Sequence, residues 1–136
     1  MDIKELLNRT DRFAAGIGCR IVYADGQRAV AELAVAECHL NGGNVCQGGA
    51  LFTLADVAMA ALLNHSGQLT VGLANTIQFV SSAKEGDLLR AEAGFVADHK
   101  RIPAVEARVA NQDGRLVCLV TGMGYRKTMP LPEVRE

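Results

Sequence analysis

Residues 49–63 read Gly-Ala-Leu-Phe-Thr-Leu-Ala-Asp-Val-Ala-Met-Ala-Ala-Leu-Leu, and only Thr53 and Asp56 interrupt the apolar run. The segment is long enough for about four helical turns. Ser66-Gly67 follows as a stop, so a helix is predicted over 49–64. A helix that is apolar on every side is expected to be buried on every side, against a sheet and a neighbouring subunit. Upstream, Asn41, Gly42, Gly43, Asn44 and Gly48 make residues 36–49 a loop.

Strand patterns surround this helix. Residues 17–35 read as two strands about the turn Ala24-Asp25-Gly26-Gln27, and three further runs span 69–81, 87–98 and 102–111. The turn Asn111-Gln112-Asp113-Gly114 leads into a last run over 115–125. Val105, Ala107 and Val109 alternate with Glu106 and Arg108; Leu89, Ala91, Ala93 and Phe95 alternate with Arg90 and Glu92. Such alternation gives a sheet one wet face and one dry face, and the dry face is where the helix belongs. The expected class is α+β, one domain over 1–136, with a curved antiparallel sheet around one long central helix. Ile3, Leu6, Leu7 and Phe13 predict a helical segment within 1–15, and Pro130-Leu131-Pro132 predicts an irregular tail over 127–136.

Composition narrows the function. Apolar residues are 49% and charged residues 21% of the 136, enough to bury a core. The formal net charge of −1 argues against a nucleic-acid groove or a basic membrane surface, and aromatics at 4% with no Trp argue against a base-stacking platform. The 20 Ala and 14 Gly make up a quarter of the chain and leave little room for a deep private cavity. Met1-Asp2-Ile3-Lys4-Glu5 is charged from the start and lacks a signal-peptide core, so a cytoplasmic protein is expected. Cys19, Cys38, Cys46 and Cys118 form no Cys-x-x-Cys pair, and Cys38, His39 and Cys46 fit no common zinc spacing. Buried free thiols, no metal and no cofactor are expected.

Asp56 is the single ionisable group of the helix, about two turns in and too deep to cap its N-terminus. A carboxylate in such surroundings is either paired, for instance with a backbone amide or an arginine across an interface, or placed there for chemistry. Gln47-Gly48-Gly49 opens the helix, where N–H groups lack helical partners and the dipole is positive. Those amides suit a polarised carbonyl oxygen, although glycines also simply permit a tight loop-to-helix junction. Gly48 and Asp56 lie eight residues apart, roughly 12 Å along one helix axis. One carbonyl carbon cannot touch both, so a shared substrate requires Gly48 from one subunit and Asp56 from another.

The run His39-Leu40-Asn41-Gly42-Gly43-Asn44-Val45-Cys46-Gln47-Gly48-Gly49, continued by LFTLADVAMA over 51–60, resembles hotdog-fold acyl-CoA thioesterases of the phenylacetate-degradation (PaaI-type) group. Their pattern is roughly Asn, five residues, His-Gly-Gly and, farther on, Leu-Ala-Asp. The likeness extends through ANTIQFVSSAKEGDLLRAEA over 74–93 and covers most of 17–126. It implies hydrolysis of a small acyl- or aryl-CoA thioester, with Asp56 as nucleophile or general base. It further implies that the Gly48 amide polarises the carbonyl, that Asn41 orients water or substrate, and that Gln47 and Gly49 bind substrate. A homo-oligomer is implied, a dimer with shared sites that pairs into a homotetramer.

Two positions depart from the pattern. Gln47 replaces the usual histidine and carries no proton at neutral pH; Gly72 falls where many relatives have a Ser or Thr hydroxyl. Gln47 keeps open a non-catalytic acyl-CoA-binding protein as the alternative. A hotdog dehydratase ranks lower, because no histidine lies within 47–63. No Gly-x-Ser-x-Gly elbow or Ser-His-Asp triad is present, and none is needed for a thiolate leaving group. His39 is expected to hold the loop, His65 to meet helix-end carbonyls, and His99-Lys100-Arg101 to form an exposed turn.

Overall fold

Alternation of small and branched apolar residues builds the sheet. The computed structural model describes residues 2–132, in which six antiparallel strands run in the order β1-β2-β4-β5-β6-β3. They are β1 (Arg20–Ala24), β2 (Arg28–Ala34), β3 (Gln68–Phe79), β4 (Leu88–Ala97), β5 (Ala104–Ala110) and β6 (Leu116–Pro130). The helix α3 (Gly48–Leu63) packs across the dry face, against β2, β4 and β5 above all. Ala29, Ala31, Ala91, Ala93 and Ala107 of the sheet are fully buried, as are Ala55, Ala58 and Ala61 of the helix. These small side chains, interleaved with Leu54 and Leu62 of the helix and Leu33, Leu89 and Val109 of the sheet, let helix and sheet pack closely. Arg90, Glu92 and Arg108 stay exposed on the other face, as their alternation requires.

The N-terminal helix is two helices, α1 (Ile3–Thr10) and α2 (Arg12–Gly16). Asp11 causes the break: its backbone N–H reaches the Leu7 carbonyl, ending α1, while its side chain accepts from Ala14 N at 3.0 Å, starting α2. The hairpin β1–β2 turns on Asp25, whose carboxylate accepts from the backbone N–H groups of Gln27 and Arg28.

The last strand runs past the expected tail boundary. β6 continues to Pro130, which pairs with Gln68, and Leu131 N bonds Gly67 O at 2.9 Å. Residues 127–130 are therefore strand rather than irregular, held by the long β3 beside them; 133–136 lie outside the described residues. β3 forms one edge of the sheet, and from Val71 to Phe79 every residue but Ile77 is exposed. Leu73 is 55% and Phe79 58% exposed. A curved antiparallel sheet around one helix is the hotdog arrangement.

Candidate active site

The N-terminus of α3 is fixed by the loop before it. Leu40 and Cys46 form an isolated antiparallel bridge, and Asn41 N bonds Val45 O at 2.8 Å. The Asn41 side-chain oxygen accepts from Gly43 N at 2.8 Å and Val45 N at 3.3 Å, an Asx-type closure of the turn. Asn44 takes a left-handed φ of 64°, which asparagine tolerates. Gln47 N bonds His39 O, and Cys46 N bonds Ala83 O. His39 is buried: Nδ1 accepts from Ala36 N, which leaves Nε2–H to donate to Ile17 O. Both ring nitrogens are thus committed to holding the loop, and neither is available to a metal or a substrate.

Gln47 is the N-cap of α3, its side-chain oxygen accepting from Gly49 N at 2.7 Å. This modifies the expectation of two open glycine amides. The Gly49 N–H is taken, whereas the Gly48 N–H has no partner among the described residues. Gly48 is covered by the Phe79 ring so closely that an added Cβ would lie 2.8 Å from Phe79 Cζ. Asn41 and Gly48 line one cavity of about 260 Å³ with Phe79, Ser81 and Ser82. Gln47 and Gly49 instead face a neighbouring cavity of about 480 Å³, lined also by Phe13, Leu40, Ala50 and Thr53.

Asp56 stands apart from both. The sheet buries ten residues of α3, but Gly49, Phe52, Thr53, Asp56 and Ala60 are not among them. Their spacing of three and four places them on one open stripe. Within one chain the sheet covers only one side of the helix, and the remaining stripe is the part for which a neighbouring subunit was expected. Asp56 is exposed on that stripe and lines a third, small cavity of about 120 Å³ with Met59, Gly72, Asn75, Val105 and Met123. Its carboxyl is nevertheless pushed up from the ordinary aspartate pKa. Crowding by surrounding protein removes hydration from it, and the Asp11 carboxylate adds like-charge repulsion. Asp11, Phe79 and Asn75 were not singled out from sequence; they reach the site through tertiary packing, which no local spacing reveals.

One chain thus separates Gly48 and Asp56 into different cavities. Thr53, the other polar residue of the helix, donates to Gly49 O at 2.8 Å and is occupied locally. The four cysteines are free; Cys19, Cys46 and Cys118 are buried as expected, whereas Cys38, carried on the loop surface, is exposed. Burial pushes the Cys19 thiol up to about 12 and the Cys118 thiol up to about 11, so neither is a ready nucleophile. Asp56 is left as the candidate base or nucleophile.

Comparison with known proteins meets this geometry. Residues 42–118, which contain the end of the loop, α3 and strands β3, β4 and β5, match the thioesterase superfamily. The acyl-coenzyme A thioesterase PaaI of Escherichia coli (strain K12) is 34% identical over 116 residues, 85% of this chain and 83% of that one. The solved structure of E. coli PaaI, from the phenylacetic acid degradation operon, superposes with a TM-score of 0.89 at 32% identity, covering 93% of this chain and 91% of that chain. A mutant structure of the phenylacetic acid degradation protein PaaI from Thermus thermophilus gives 0.82 at 28% identity, covering 86% of this chain and all of that one. The chain belongs to the thioesterase superfamily and is a PaaI-type, hotdog-fold thioester hydrolase.

Proposed function

We propose that the enzyme hydrolyses small acyl- or aryl-CoA thioesters at sites shared between two copies of the chain. The observation that carries this reading is the separation of Gly48 and Asp56 along α3, in different cavities of one chain. Antiparallel pairing of two α3 helices about a two-fold axis brings the Gly48 amide of one copy to the Asp56 carboxylate of the other, twice. The open stripe on α3 and the apolar, unpaired edge of β3 are the surfaces that such pairing covers. Pairing of dimers into a tetramer belongs to the same reading.

In the reaction, the thioester oxygen accepts from the Gly48 N–H, aided by the positive end of the helix dipole. Asp56 of the partner subunit removes a proton from water, which attacks the carbonyl carbon; alternatively the carboxylate attacks directly and water resolves the anhydride. On the water route the C–S bond then breaks to give CoA thiolate and the carboxylic acid; on the direct route it breaks as the anhydride forms, expelling CoA thiolate before water releases the acid and the free aspartate. Thiolate leaves without a strong general acid, so Gln47 in place of histidine is compatible with turnover. The Asn41 side-chain NH2 and that of Gln47 remain as donors to water or substrate, since their oxygens serve the loop and the helix cap. The acid raised by its surroundings is a better proton acceptor near neutral pH than an ordinary aspartate. Free thiols and the CoA substrate fit a cytoplasmic enzyme.

A thiol-release assay over graded acyl- and aryl-CoA substrates tests the reading, with Asp56→Ala as control. Turnover by the parent and its loss in Asp56→Ala, with acyl-CoA still bound, support it. Binding without thiol release by the parent contradicts it.

A further inference from the structure

Asn75 sits on β3 opposite Gly122 of β6, and its side chain enters the small cavity that Asp56 lines. The amide fills the space that a side chain at 122 would need. An added Cβ at Gly122 would lie far inside contact distance of Asn75 Oδ1 and only 2.9 Å from Ala74 O. The missing Cβ is thus a notch that seats the amide. The other end of the amide, Nδ2, lies 3.7 Å from where a Cβ on Gly72 would stand. Gly72 contributes no side chain there, so the amide nitrogen is open toward the cavity.

Neither amide atom of Asn75 has a hydrogen-bond partner among the described residues. Asn64, by contrast, spends its amide on Ala60 O and on both backbone groups of Thr70. Asn75, an exposed residue, therefore makes none of the side-chain bonds to backbone that Asn8, Asn41, Asn64 and Asn111 make. Asp56 is the one charged residue lining the cavity, and Asp11 is the charge that acts on it from the N-terminal helices. Asn75 and Asp56 line this cavity without a direct hydrogen bond between them, so a water molecule is what would join the amide donor to the carboxylate.

Resting on the shared-site reading, we infer that Asn75 is a positioning residue for the hydrolytic reaction, its seated amide orienting the Asp56 carboxylate and the attacking water. The donor favours the ionised carboxylate and opposes the upward push from desolvation and from Asp11. It acts after substrate is bound, so its removal is read in kcat rather than in KM.

The experiment compares Asn75→Ala, Asn75→Asp and Gly122→Ala with the parent and with Asp56→Asn, measuring kcat and KM across pH and the assembly state by light scattering. Asn75→Ala is expected to lower kcat by about 10- to 100-fold, the factor that a hydrogen bond to a charged group commands. KM and assembly are expected to hold, and the acid limb of the kcat profile to move to higher pH. Asn75→Asp keeps the shape but replaces the donor by a like charge, so it is expected to move that limb further up. Gly122→Ala evicts the amide and is expected to lower kcat similarly. Unchanged kcat and acid limb in Asn75→Ala, with Asp56→Asn inactive, overturn the inference and leave the shared-site reading standing. An active Asp56→Asn instead removes the reading on which the inference rests. Loss of assembly in both Asn75 variants also overturns it, by assigning the amide to the interface.

Discussion

Replacing Gly48 by alanine separates two roles of that residue, because alanine keeps the backbone N–H and changes only the space above it. Gly48 does not have the left-handed φ that would make a side chain strained, and it sits at the first position of α3. Alanine is favoured over glycine in a helix by at most about 1 kcal/mol. Its Cβ, however, would stand 2.8 Å from Phe79 Cζ and 2.9 Å from Cε1. Carbon atoms pack at about 3.5–4.0 Å, so the ring must retreat by close to an ångström. Phe79 is 58% exposed and has room to move, so the fold tolerates the change at a cost that the helix gain roughly offsets. The expected Tm change is within a few degrees. Turnover is another matter: the methyl and the displaced ring enter the cavity of about 260 Å³ that Gly48 lines. Blocking one oxyanion donor costs about 10²–10³ in kcat. Thiol-release kinetics and a thermal melt on the same preparation measure both effects. Adding Phe79→Ala makes room and is expected to restore part of the rate. Full activity in Gly48→Ala would refute the assignment of this amide to the carbonyl oxygen.

Three other variants probe the same site. Asp56→Asn is expected to abolish thiol release yet raise Tm at neutral pH. The folded-state pKa of Asp56 lies above its unfolded value, so the native state holds the proton longer, and stability falls as pH rises through that window. Melts of parent and variant should converge when pH drops below the ordinary aspartate range; an unchanged Tm at neutral pH contradicts the shift. Asp11→Asn removes the like charge, so the acid limb of kcat/KM is expected to move to lower pH, and a limb that stays put excludes Asp11 as a cause. Gln47→Ala removes the N-cap of α3 and is expected to lower stability by about 1 kcal/mol. Turnover should fall less than about tenfold, as for loss of one neutral hydrogen bond; complete loss of turnover at unchanged Tm would assign Gln47 a direct part in the chemistry.

The fold was legible where local pattern decides it. The apolar run over 49–63 specified α3 because nothing within it offers a turn or a polar face, and alternation at Val105, Ala107 and Val109 specified a half-buried strand. The Asp56 carboxylate was conspicuous as the single charge on that helix, and the Gln47-Gly48-Gly49 junction was conspicuous by its glycines. What the sequence concealed depends on contacts distant along the chain. Asp11 divides the N-terminal segment by capping one helix while ending another, and it also acts on Asp56 across 45 positions. The open stripe at Gly49, Thr53, Asp56 and Ala60 follows from which side of α3 the sheet covers, and an apolar helix gives no sign of that. Gln47 claims the Gly49 amide through its rotamer, which residue order does not fix. Asn75 looks ordinary in sequence; its notch at Gly122 exists only once β3 and β6 pair.

Mixing two inactive variants tests the shared site most directly. Gly48→Val and Asp56→Ala, each inactive alone, are unfolded together at equal concentration, refolded and assayed for thiol release. If Gly48 of one copy works with Asp56 of the other, each mixed dimer contains one intact pair. Random pairing then restores about a quarter of the parental activity. If both groups act within one chain, no mixed dimer contains an intact site, and the mixture remains as inactive as its parts.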